Sequence, residues 1–104
     1  MNKIDDFANN MKRAFLASTN QVEIQNSAQE VFDAFLADLS VTLDLDGNPR
    51  FGDKIQASDA LMEVRHRLKQ LDHLLPAEAA VRSNIVSQIE SAIKKIDPKR
   101  LDHG

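Results

Sequence analysis

Cysteine is missing from this chain, which excludes disulfides, thiolate-ligated zinc and cysteine nucleophiles outright. Trp and Tyr are missing too, so five Phe are the sole aromatics and any core must be chiefly aliphatic. Three glycines cannot build a Gly-rich phosphate cradle, and no serine sits in a Gly-x-Ser-x-Gly elbow. No apolar run approaches the ~20 residues needed to span a bilayer. Residues 1–6 lack the basic-then-apolar order of a secretory signal. The expected location is the cytoplasm, with no membrane partner. Excess positive charge is also lacking: 13 Lys and Arg face 16 Asp and Glu, a net −3. The molecule as a whole is therefore no electrostatic trap for nucleic acid.

What is present has the balance of a globular domain, 42% hydrophobic and 28% charged, too apolar for a disordered chain. The 104 residues fit a single small helical domain over 1–104, with a polar tail at 99–104 expected to fray.

Hydrophobic period assigns the elements. Ile4, Phe7, Ala8, Met11, Ala14 and Phe15 recur at helical steps, with Asp5 and Asp6 near the start where the backbone dipole favours them. Ser18, Thr19 and Asn20 interrupt that helix. A second stripe of Ala28, Val31, Phe32, Phe35, Leu36 and Leu39 is the richest core segment. Ser27 with Glu30 has capping-box spacing, and Asn20 with Glu23 offers the same spacing seven residues earlier, which leaves two starts for this helix. Val41, Leu43 and Leu45 then alternate with polar residues around an Asp46-Gly47 turn signal. That reads as a short β-hairpin near 41–51 or, alternatively, as helix two running to Leu43 before an irregular loop. Asp53 and Gln56 have capping-box spacing before helix three. Its heptad seam is Ala57, Leu61, Val64, Leu68, Leu71 and Leu75. Pro76 opens a fourth helix over about 77–96, with Val81, Ile85, Ile89, Ala92 or Ile93, and Ile96 inside. The expected fold is all-α: about four helices in a small bundle with a C-terminal antiparallel helical hairpin.

Candidate chemistry is sparse. Asp44, Asp46 and Asp53 resemble part of a calcium loop, but Thr42 stands where its first carboxylate belongs, and Asp53 is short for the last position. An Asp-Gly turn explains the same letters. His66 and His73 lie about 10 Å apart along one helix, too far to share an ion, and His103 is in the tail. No catalytic, cofactor or metal residues are assigned, and the protein is not expected to be an enzyme.

Two basic clusters remain, Arg65, His66, Arg67 and Lys69 on helix three and Lys94, Lys95, Lys99 and Arg100 at the end of helix four. In an antiparallel hairpin they lie toward opposite parts. No aromatic residues interleave to stack bases. The apolar stripes are wider than one small bundle needs, notably at Phe15-Leu16, Phe35-Leu36 and Leu74-Leu75. The expectation is a non-enzymatic protein–protein interaction module, a regulator or inhibitor of a larger macromolecular partner, or a homodimer. Phage- and mobile-element-encoded inhibitors belong to this size class. Its expected contact residues are Phe51, Leu74, Arg65, Arg67 and Lys69. The alternative is nucleic-acid binding through the basic patches of helices three and four, with steeply salt-dependent affinity.

Overall fold

The computed structural model describes residues 3–39, 42–43, 49–50, 54–99 and 101. Each apolar stripe becomes a helix: α1 (Lys3–Leu16), α2 (Gln21–Asp38), α3 (Lys54–Lys69) and α4 (Pro76–Ile96). Two short strands, β1 (Thr42–Leu43) and β2 (Pro49–Arg50), lie between α2 and α3. They pair antiparallel, Thr42 opposite Arg50 and Leu43 opposite Pro49. The intervening Asp46-Gly47 turn, the proposed ligands Asp44, Asp46 and Asp53, and Phe51 lie outside the described residues.

Of the two starts that the capping boxes offer for α2, the structure takes the earlier. Asn20 is the cap, its Oδ1 accepting from the N–H of Val22 (2.9 Å) and Glu23 (3.3 Å). Ser18 completes the corner by accepting from the Asn20 N–H and donating to the Glu23 carboxylate. The earlier start has an apolar cause. Ile24, which is buried, adds one more turn to the stripe ahead of Ala28, leaving Ser27 inside the helix. At the other end α2 has no basic residue in its last turn, and Lys3 of α1 supplies the cation, Nζ donating to the Asp38 carbonyl at 2.8 Å.

Helix α3 buries Ala57, Leu61, Val64 and Leu68, then ends at Lys69, so the last two residues of the expected seam leave the helix. Leu71 is half-buried, and Leu75 is 58% exposed. Pro76 accounts for Leu75: its ring drives the preceding residue out of the helical region, and Leu75 sits at φ −67°, ψ 158°. His73, at φ 57°, makes the reversal. Helix α4 opens with Pro76 in its first turn, and Glu78 accepts from the Leu75 N–H at 3.0 Å.

Pairings fix the topology. The Phe7 and Phe35 rings lie 5.0 Å apart, so the start of α1 meets the end of α2 and the two are antiparallel. Gln25 reaches Asn84 and Gln29 reaches Gln88, a constant offset that makes α2 and α4 parallel. The short connection over 70–75 makes α3 antiparallel to α4, and hence parallel to α1. Helix α1 packs on α2 and α3, and α4 packs on the same two. The helices thus stand in ring order α1, α2, α4, α3, and the chain between α2 and α3 joins diagonal corners at one end. Both short connections, 17–20 and 70–75, lie at the other end. Met11, Leu61, Val64, Ile85, Ile89 and Ile93 are sealed from solvent at the centre. Leu101, within the expected tail, rests half-buried against this core.

Candidate interaction surface

The short-loop end of the bundle gathers what the core leaves over. Leu16 at the end of α1 is 81% exposed, Val22 at the start of α2 is 67% exposed, and Leu75, just before α4, is 58% exposed at the same end of the bundle. Among the described residues Ile55 is the other strongly exposed aliphatic, and it lies at the opposite end.

A groove forms here because α1 outruns α3. Asp5, near the start of α1, is already level with Arg67, to which it is paired at 3.2 Å. From there α1 continues about 16 Å at 1.5 Å per residue, whereas α3 stops within one turn. The non-helical segment 70–75 covers the gap incompletely. What remains is a groove of about 490 Å³, walled by Phe15, Leu16, Leu71 and Leu74, with Glu78 beneath and Lys12, Gln70, Asp72 and His73 around it. A smaller hollow of about 250 Å³ shares Lys12, Gln70 and Leu71 and extends along the α1–α3 seam to Arg67. Arg82 ties the segment down by donating to the Leu71 carbonyl. His73 and Asp72 approach to 3.7 Å but are 92% and 84% exposed, so their attraction adds little.

Of the expected contact residues, Leu74 lines the groove, and Arg67 sits on the edge of the smaller hollow. Arg65 lies on the opposite flank of α3, its guanidinium 3.5 Å from Glu90, with a buried Nε that has no hydrogen-bond partner. Arg67 is held by both Asp5 and Glu63. Lys69, Lys94 and Lys95 are exposed. Among the described residues the structure therefore does not bring Arg65, Arg67, Lys69, Lys94 and Lys95 into one patch, and carboxylates already occupy both arginines. Because Arg65 pairs with Glu90, about one turn separates it from Lys69 on one side and from Lys94 on the other. Acidic residues interrupt the row.

Two features escape the sequence reading. Glu78 is about nine-tenths buried, yet in the sequence it reads only as a helix-start acid. The α2–α4 seam carries an amide ladder: Gln29 and Gln88 exchange hydrogen bonds of 2.9 and 2.8 Å, flanked by Gln25 to Asn84 at 3.0 Å. Its only trace in the sequence is the i,i+4 spacing of Gln25 with Gln29 and of Asn84 with Gln88. Among the described residues no group of three or more His, Asp or Glu could hold a metal ion, and no helix is long and apolar enough to cross a membrane. Comparison of the chain with protein-family models, curated proteins and solved structures finds no match.

Proposed function

We propose that this protein is a non-enzymatic interaction module whose short-loop end docks onto a protein partner, acting as a regulator or inhibitor by occupying that partner's surface. The observation that supports this reading is that Leu16, Val22 and Leu75, all exposed, lie at the end of the bundle that also holds the groove. Covering such side chains returns roughly 1.5–2 kcal/mol each, enough to drive association only when groove and rim contribute as well. An apolar cluster of this kind is what a docking surface requires. The nucleic-acid alternative is weaker because Arg65 and Arg67 are engaged by Glu90, Asp5 and Glu63. A phosphate would have to displace those carboxylates.

Affinity capture from lysate, with and without nuclease, tests the reading. One defined protein retained after nuclease is the expected result. Recovery that collapses with nuclease or moderate salt would transfer the function to the lysines and arginines. Recovery of the chain alone, with a doubled mass in sedimentation, would make the partner a second copy.

A further inference from the structure

Glu78 stands apart from the other acidic residues among those described. Its side chain is about nine-tenths buried beneath a groove whose walls are otherwise mostly apolar. The only hydrogen bond to its carboxylate among the described residues comes from the Leu75 N–H, at 3.0 Å. An ionised carboxylate has about four acceptor sites, so most of its capacity is unused. No cation among the described residues lies within ion-pair distance of it. Arg82, one turn along the same helix, donates instead to the Leu71 carbonyl. The positive end of the α4 dipole and the Leu75 N–H hold the carboxylate in place, and its free acceptor sites leave room for an incoming cation.

We propose that the groove recognises a basic amphipathic peptide segment of the partner. An apolar side chain enters between Phe15, Leu16, Leu71 and Leu74, and a neighbouring Lys or Arg pairs with Glu78. This deepens the docking reading above and rests on it. Charge and shape both favour that occupant. The lining of the groove carries the carboxylates of Asp72 and Glu78 against the one ammonium of Lys12, an acidic balance that disfavours phosphate and carboxylate ligands. Its volume of about 490 Å³ holds more than one side chain. It also runs into the hollow along the α1–α3 seam and borders the exposed Leu16, a footprint that suits an extended segment better than a compact small amine.

The test uses the full-length, ¹⁵N-labelled chain and three short capped peptides. All three have leucines at the same positions, interleaved with Arg in one, Gln in the second and Glu in the third. Chemical-shift titration should show roughly millimolar binding confined to residues lining the groove. The Arg peptide should bind about five-fold tighter than the Gln peptide, and the Glu peptide weakest. Glu78→Gln keeps a side-chain oxygen for the Leu75 N–H, so the cap survives. It should abolish the Arg preference while leaving the Gln peptide's affinity unchanged. Binding of all three equally, or an Arg preference that survives Glu78→Gln, would overturn the role of Glu78. If the shifts in that case still map to Leu16, Leu71 and Leu74, the docking end itself stands. Shifts elsewhere on the bundle, or none with any peptide, would overturn the proposal.

Discussion

The amide ladder between α2 and α4 allows a quantitative test of the topology. Gln29 and Gln88 are both half-buried and exchange two hydrogen bonds, 2.9 and 2.8 Å long. A neutral hydrogen bond contributes about 1 kcal/mol net, and less where water competes for the same atoms. Two such bonds at a half-wet seam should therefore couple these residues by about 1 kcal/mol. The bonds from Gln29 to Asp33 and from Gln88 to Asn84 run along single helices and add only a few tenths each. Alanine is the appropriate replacement, since it does not weaken the helix backbone. Gln29→Ala and Gln88→Ala should each cost about 1 kcal/mol, or roughly 5 °C in Tm. The double variant should cost little more than either single one, because both delete the same pair. With Trp and Tyr absent, urea unfolding followed by far-UV circular dichroism is the natural assay. A coupling below about 0.3 kcal/mol would refute the reasoning, leaving the parallel register of α2 and α4 to the apolar core alone. The amides favour that register in a way leucines would not, because they exchange both hydrogen bonds when Gln29 faces Gln88.

Three further substitutions probe the local accounts by the same unfolding assay. Asn20→Ala should cost about 1 kcal/mol and Ser27→Ala almost nothing, since Asn20 alone caps α2; the reverse order would move the helix start to Ser27. His73→Gly should stabilise by about 0.5–1 kcal/mol by relieving φ 57°, whereas His73→Ala should bring no gain; a stability loss with Gly would contradict the backbone account. Arg65→Met should stabilise by about 1 kcal/mol, because it removes a buried Nε lacking a partner and gives up only a 3.5 Å pair with Glu90. A stability loss there would mean that the guanidinium contributes more through Glu90 than its unpaired nitrogen costs.

Helix faces were legible in the sequence because one strong signal, apolar period, governs them. Phe7, Met11 and Phe15, Ala28, Phe32 and Phe35, Leu61, Val64 and Leu68, and Val81, Ile85, Ile89 and Ile93 are all buried where the stripes place them. Boundaries were less legible where two signals competed. Asn20 and Ser27 both offer capping boxes, and only the burial of Ile24 in three dimensions decides between them. The heptad run from Ala57 to Leu75 overshoots α3, because Leu71 and Leu75 keep the period although the helix ends at Lys69 and Pro76 holds Leu75 extended. The groove was illegible for a different reason. It arises from the offset between α1 and α3, a tertiary property, although Leu74 was singled out and Phe15-Leu16 stood out as surplus width. Arg65 and Arg67 looked alike in sequence, yet two positions along a helix turn them to opposite flanks, one toward Glu90 and the other toward Asp5.

The central claim is that a protein partner binds the short-loop end. Its most direct test is capture from nuclease-treated lysate by three forms of the chain with matched helical circular dichroism. These are the wild type, Leu16→Asp with Leu75→Asp at the short-loop end, and Lys94→Glu with Lys95→Glu on α4. Both leucines are more than half exposed, so their replacement should leave the fold intact. The account predicts that one protein recovered by the wild type is lost with the leucine pair and kept with the lysine pair. Loss with the lysine pair and retention with the leucine pair would contradict it.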